Sequence, residues 1–81
     1  MTAYEIVDYF NSLPQRGVVI IETSDYSFYF IVDRTEAEAV SDSILKLTGI
    51  IGYTLITLQE SSMMLDTDKI DYIRHVPETH I

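Results

Sequence analysis

The sequence predicts an α+β domain in which an antiparallel sheet of about five strands packs with two helices, in the order α-β-β-α-β-β-β. The helices are predicted because Thr2 and Thr35 each open a capping-box pattern followed by apolar residues at helical spacing. The strands are predicted because runs of β-branched and aromatic residues alternate with turn signals. Of the 81 residues, 47% are hydrophobic and 22% are charged, which is typical of one folded domain.

The first helix is predicted to begin after Thr2, which forms a capping box with Glu5. Five apolar residues fall on one helical face: Ala3, Ile6, Val7, Phe10 and Leu13. Pro14 cannot continue a helix interior, so we expect the helix to end near Leu13.

A β-hairpin is predicted next, with strands at residues 18–23 and 26–32 around the turn signal Ser24-Asp25. Both strands are apolar on both sides, whereas a half-solvated hairpin alternates apolar with polar residues. The second side therefore needs cover, either from a sheet rolled into a small barrel or from a second copy of the chain. In the second case we expect four residues to face the other subunit: Val19, Ile21, Tyr29 and Ile31.

The second helix is predicted from the capping-box pair Thr35 and Glu38. Its buried face would hold Ala37, Val40, Ile44 and Leu47. Gly49 stands where a left-handed helix cap is expected.

The remaining chain predicts a strand at 53–59, a turn at 60–62 and a partner strand at 63–65. A polar bend at 66–69 and a short strand at 70–76 follow. We therefore expect a single domain over residues 1–76 and a short tail over residues 77–81.

Charge sets limits on the partners. Five Lys and Arg against thirteen Asp and Glu give a net charge of −8, which argues against direct binding to nucleic acid. The N-terminus lacks the features of a signal peptide, and no apolar run approaches the roughly 20 residues of a membrane span, so we expect no membrane partner and a cytoplasmic protein.

Catalytic side chains are scarce. The chain has no cysteine, and its two histidines, His75 and His80, lie in the last seven residues, where we expect them to be solvated. The acidic segment from Asp66 to Asp71 lacks the glycine and terminal Glu of a calcium loop, so it is interpreted as an Asx-type bend. The sequence therefore predicts a protein that is not an enzyme and holds no catalytic residue, cofactor or metal.

The leading interpretation is a small acidic protein-interaction module that binds or inhibits a protein partner and forms a homo-oligomer. Exposed aromatic and aliphatic side chains on strands can anchor such a contact, and Tyr29, Ile31 and Tyr53 are the candidates.

Two other hypotheses remain open. An acidic surface could imitate the phosphates of DNA and occupy a basic cleft, as a phage-like inhibitor of a nucleic-acid-binding or defence protein would. Two rows of carboxylates would then lie on neighbouring helices and the C-terminal bend, from Glu5, Asp8, Glu36, Glu38, Asp42, Asp66, Asp68 and Asp71. Alternatively, an oligomer could bind a small ligand between subunits, in a pocket lined by Tyr26, Phe28 and Tyr53.

Overall fold

The computed structural model describes residues 1–77, which form one α-helix and a five-stranded antiparallel sheet. The elements are α1 (Ala3–Ser12), β1 (Val18–Thr23), β2 (Ser27–Ala39), β3 (Ile44–Gly52), β4 (Gln59–Asp66), a 3-10 turn (Thr67–Lys69) and β5 (Ile70–Val76). The predicted α+β class and antiparallel sheet are confirmed, with one helix in place of two. The predicted division into a domain and a tail stays a prediction, because residues 78–81 lie outside the described part of the chain.

The first helix forms as predicted. Thr2 Oγ1 accepts a hydrogen bond from the Glu5 amide at 3.2 Å, and Glu5 Oε1 accepts one from the Thr2 amide at 2.8 Å. These hydrogen bonds, the backbone one first, lower the pKa of the Glu5 carboxyl below its ordinary value. Ala3, Ile6 and Phe10 are buried, and α1 ends at Ser12 with Leu13 as its cap. At ten residues, α1 is far too short to cross a membrane, and no other helix within residues 1–77 could do so.

The sheet has the strand order β4-β3-β2-β1-β5 and is strongly curled. Its two outermost strands are joined by three residues, Thr67–Lys69. Four strand spacings in a flat sheet amount to about 19 Å, whereas the four steps from Asp66 to Ile70 reach at most about 14 Å. The sheet therefore bends around its core, which is in the direction of the rolled arrangement, one of the two ways left open for covering the hairpin.

The core fills the inside of this curl. Val19 lies opposite Phe30 and Ile21 opposite Phe28, and all four side chains belong to the cluster that packs against α1. The rings of Phe10 and Phe30 meet edge to face, with centroids 6.2 Å apart. We call this side the inner face of the sheet and the opposite side the outer face.

The predicted second helix is wrong, because residues 35–47 belong to two strands and the turn between them. β2 continues to Ala39 with Ala37 and Ala39 against the core and Glu36 and Glu38 exposed, which is the alternation of a strand. A helix here would have placed residues 41–43, Ser-Asp-Ser, in its interior, where these side chains compete with helical hydrogen bonds. They form the β2–β3 turn instead.

The residues assigned to that helix take other places. Val40, predicted to be buried, is 51% exposed in the turn, whereas Leu45 and Leu47 of β3 are fully buried. Gly49 is not a helix cap; it lies within β3 with a φ of 143°, beside the register shift between Phe30 and Thr35 of β2. A Cβ at Gly49 would overlap the carbonyl oxygen of Arg34, so this close strand approach requires glycine.

The strand predicted at 53–59 and the turn at 60–62 are also wrong. Residues 53–58 form the loop between β3 and β4, and residues 60–62 lie inside β4. The hydroxyl of Thr57 accepts hydrogen bonds from the amides of Tyr53 and Thr54, at 3.0 and 2.9 Å. The loop thus satisfies its backbone through its own side chains and needs no neighbouring strand.

The last two elements form as predicted. Asp66 Oδ1 accepts a hydrogen bond from the Asp68 amide at 2.9 Å, which is the expected Asx-type bend. β5 then runs antiparallel to β1, with Ile73 opposite Ile21 and Arg74 opposite Ile20.

Candidate functional site

An apolar groove lies on the outer face of the sheet. Its floor is built where β1 and β2 pair, because Val18 lies opposite Ile31 and Ile20 opposite Tyr29. The groove encloses about 590 Å³. This volume lies in the range of small-molecule and side-chain pockets, about 300–1,000 Å³.

The walls of the groove come from three segments: residues 15–17, Leu55 of the β3–β4 loop, and Val76 at the end of β5 with Pro77 next to it. Gly17 has a φ of 87°, and its carbonyl accepts a hydrogen bond from the Val32 amide at 3.1 Å, which ties the first wall to β2. The first wall of the groove is thereby fixed by a backbone hydrogen bond.

The β3–β4 loop presents two apolar side chains in different directions. Leu55 lines the groove and is 58% exposed, whereas its neighbour Ile56 does not line it and is 94% exposed. The hydroxyls of Thr54 and Thr57 hold the loop with several short hydrogen bonds, including the Thr57 hydroxyl to the Thr54 carbonyl at 3.1 Å.

A polar network stands on the outer face beside the groove, centred on Glu22. Glu22 Oε1 accepts a hydrogen bond from the Ser27 hydroxyl at 3.2 Å, and Glu22 Oε2 lies 4.0 Å from Arg74 Nε. A hydrogen bond to the Glu22 carboxylate raises the pKa of Tyr72 above its ordinary value. One carboxylate thus links β1, β2 and β5 on this face.

Two of the predicted binding residues line the groove, but the predicted face is partly wrong. Tyr29 and Ile31 lie on the outer face as candidates for contact. Val19 and Ile21 were expected beside them, yet both are fully buried on the inner face. The hairpin register places Glu22 opposite Ser27, so the even-numbered residues of β1 share a face with the odd-numbered residues of β2.

Tyr53 lies away from the groove. Its ring contacts Phe28 and Tyr26, with centroids 5.5 and 5.7 Å away, and the Tyr26 and Phe28 rings lie 5.9 Å apart. The three aromatic residues predicted to line a ligand pocket are thus brought together, but as rings packed on one another.

The predicted acidic residues are distributed over several elements. Glu36 and Glu38 lie exposed on β2, opposite Thr48 and Lys46 of β3. Glu5 and Asp8 lie on α1 and Asp42 lies in the β2–β3 turn. Three more lie at or after the end of β4: Asp66, Asp68 and Asp71. Two rows on neighbouring helices do not exist, because residues 36–42 form no helix.

The β2–β3 turn brings part of this charge together. The Asp42 carbonyl accepts a hydrogen bond from the Ala3 amide at 2.8 Å, and the Ser43 carbonyl accepts one from the Thr67 amide at 2.9 Å. Asp42 therefore lies between the start of α1 and the 3-10 turn that contains Asp68.

Of the two histidines, His75 is held in place, contrary to the expectation that it is only solvated. Its Nε2 lies 2.9 Å from the Arg16 carbonyl oxygen, next to the groove wall. His80 lies outside the described residues. Within residues 1–77, no group of three or more His, Asp or Glu side chains could hold a metal ion, and no buried side-chain nitrogen or oxygen lacks a hydrogen-bond partner.

Sequence reasoning found only Tyr29 and Ile31 among the groove residues, and those it missed include Val18, Ile20, Leu55 and Val76. Counting outward from the Ser24-Asp25 turn could have found the first two, since the pairing of Glu22 with Ser27 sets the faces of both strands. Val76 reaches the groove because β5 pairs with β1 and places it opposite Val18, and Leu55 lies in the loop that follows Gly52, the partner of Tyr29. No local signal predicts these pairings between distant segments.

Comparison with protein-family models, with curated proteins and with solved structures finds no match. The groove and the surface around it are therefore the features of this chain that bear on its function.

Proposed function

We propose that this protein is a small acidic interaction module that binds a protein partner in the outer-face groove and catalyses no reaction. The observation that carries the proposal is the groove floor of Val18, Ile20, Tyr29 and Ile31, on a sheet face that α1 does not cover. An apolar concavity on paired strands is rigid, and rigid sites lose little conformational entropy on binding.

The chemistry of the site favours a partner segment with apolar side chains beside Lys or Arg. The floor would accept the apolar side chains, since it offers mostly aliphatic carbon and the face of Tyr29. Asp33 and Arg16 line the same groove, and the chain as a whole carries a net charge of −8. Basic residues flanking the apolar anchor would therefore be attracted, and they would speed association at low salt.

Selection from a random peptide library displayed on a surface tests this proposal. We expect enriched peptides to combine two or more apolar residues with flanking Lys or Arg, and their binding to weaken as salt is added. Peptides without a common pattern, or with acidic flanks, would contradict the proposed partner chemistry.

Two loop variants then test the location. Leu55→Glu adds a charge to the groove wall, and we expect it to weaken binding of a selected peptide by about tenfold or more, equivalent to at least about 1.4 kcal/mol. Ile56→Glu adds the same charge one residue away, outside the groove, and should leave the affinity nearly unchanged. Equal effects of the two variants would move the binding site away from the groove.

A further inference from the structure

The two edges of the sheet differ in charge. β4 carries the carboxylates Glu60 and Asp66 and no basic residue, whereas β5 carries Arg74 and His75 with one carboxylate, Asp71. Within residues 1–77, β4 pairs only with β3 and β5 only with β1, so each presents an edge of backbone N–H and C=O groups that no described strand covers. Such an edge is a template for another strand.

Pairing of two β4 edges is disfavoured in the register centred on Met63, and in the register centred on Ser62 it brings no opposite charges together. An antiparallel pair centred on Met63 would place Glu60 opposite Asp66 of the second copy, and it would do so twice. Like charges directly opposite each other destabilise a strand pair.

Pairing of two β5 edges has no such repulsion, but it covers one edge of each chain and leaves both β4 edges open. Pairing of β4 with β5 of the next copy covers both kinds of edge with a single type of contact. It also places the acidic strand against the strand that carries Arg74 and His75.

In this arrangement the residues match over 62–64 of β4 and 72–74 of β5, whereas Leu65 would lie opposite Asp71, where β5 has a register shift against β1. With Met64 opposite Tyr72 of the next copy, Met63 lies opposite Ile73 on the inner face and Ser62 opposite Arg74 on the outer face. Met64 is 61% exposed and Tyr72 is 50% exposed, so each would cover an apolar surface that water now contacts. Glu60 would lie diagonal to Arg74, within reach of its guanidinium.

We propose that β4 of one copy pairs antiparallel with β5 of the next copy, in this register, so that the sheet continues from chain to chain. The contact is head to tail, and it forms a closed ring if the rotation between copies closes. Val76 of the groove wall would lie opposite Glu60 in this register, whereas the residues of the groove floor take no part in the contact, so the two proposals rest on different residues and can fail separately.

Disulfide cross-linking between single-cysteine variants tests the register. Only the introduced cysteines can form disulfides, since the chain has no cysteine of its own. A Met64→Cys chain is mixed with a Tyr72→Cys chain and mildly oxidised. Directly opposite strand residues have Cα atoms about 4.5–5.5 Å apart, within disulfide reach, whereas diagonal neighbours are about 7–8 Å apart. We expect the mixed disulfide as the main product. Both positions are exposed, and circular dichroism checks that each variant folds.

Matched mixtures separate the alternatives. Ser62→Cys with Tyr72→Cys shifts the pair by two residues, and we expect it to cross-link poorly. Dominant cross-linking of Tyr72→Cys with Arg74→Cys would show β5–β5 pairing and overturn the proposal. So would a mixed disulfide no more abundant than the disulfides within either single variant.

The wild-type chain provides a test free of substitutions. Analytical ultracentrifugation should show a mass of at least twice the chain mass of 9.3 kDa, because each copy offers both a β4 edge and a β5 edge and the smallest closed ring has two copies. A monomer at all concentrations would overturn the proposal.

Discussion

The outer face of the sheet has two halves that differ in chemistry although β2 runs through both. The half formed by β1 and the first part of β2 is apolar, with Val18, Ile20, Tyr29 and Ile31 around the groove. The half formed by the rest of β2, with β3 and β4, is polar and exposes Glu36, Glu38, Thr48 and Ser62.

The inner face does not change between the two halves. Phe30 and Val32 of the first half and Ala37 and Ala39 of the second all lie in or against the core. The change on the outer face therefore has no origin in core packing. Outward residues that are acidic are typical of a solvated face, whereas outward residues that are apolar are typical of a face that binds another molecule. The proposed site therefore lies in the first half.

The largest effect we predict separates the two faces of β2. Phe30→Ala should lower the free energy of unfolding by about 3–5 kcal/mol, because the ring is fully buried. Tyr29→Ala, on the outer face, should cost clearly less, because Tyr29 is half-buried. Urea denaturation of both variants measures this. Equal losses would mean that the groove floor is as much a part of the core as the inner face.

The next effect concerns the point where the two halves meet. Gly49→Ala should lower the free energy of unfolding by about 1–3 kcal/mol, because a Cβ would overlap the backbone of Arg34. The matched control is Thr48→Ala, an exposed neighbour, which should stay within about 0.5 kcal/mol of the wild type. A Gly49→Ala protein that melts like the control would show that β2 and β3 can separate there at little cost.

The smallest effect is a pH dependence beside the groove. The pKa of Tyr72 is raised by its hydrogen bond to Glu22. Its stabilising contribution is therefore complete below the pKa of an unfolded tyrosine, about 10, and is lost as the pH rises through the higher pKa of the folded state. Thermal melts of wild type and Tyr72→Phe should differ below that range and converge above it. Melting curves that stay parallel at every pH would remove Tyr72 from the network.

Elements that depend on local chemistry were predictable from the sequence. The capping box of α1, the Ser24-Asp25 hairpin and the Asp66 bend each satisfy backbone groups with side chains a few residues away. Such signals do not depend on the rest of the fold.

The same kind of signal failed at Thr35 because a distant strand competed with it. Thr35 and Glu38 match a capping box, but β3 offers β2 a continuous set of backbone partners and a place for Ala37 opposite Leu47. Tertiary pairing outweighs a local cap of this kind, whose contribution is about 1 kcal/mol. The prediction of a strand at residues 53–59 was wrong for the opposite reason, because local hydrogen bonds outweighed strand propensity. Threonines usually favour strands, but here their hydroxyl groups stabilise a loop.

The candidate site was predictable only in part. Two-sided apolar strands pointed to Tyr29 and Ile31, and both line the groove. Their true neighbours depend on hairpin register, and the walls of the groove depend on pairing between segments far apart in the sequence, such as Val18 with Val76. The binding function and the homo-oligomer stay predictions.

The pairing of β5 with β1 has a consequence for how the chain folds. Ile21 must find Ile73, and most of the sequence lies between them. Contacts of such long sequence separation form slowly, since loop closure costs entropy before the contact returns any stability. During synthesis, β1 therefore cannot complete its pairing until β5, the last of the five strands in the sequence, has left the ribosome. Until β5 pairs with β1, an apolar edge that includes Val19 and Ile21 is exposed and can aggregate. We therefore expect chaperones to bind the nascent chain mainly during this interval.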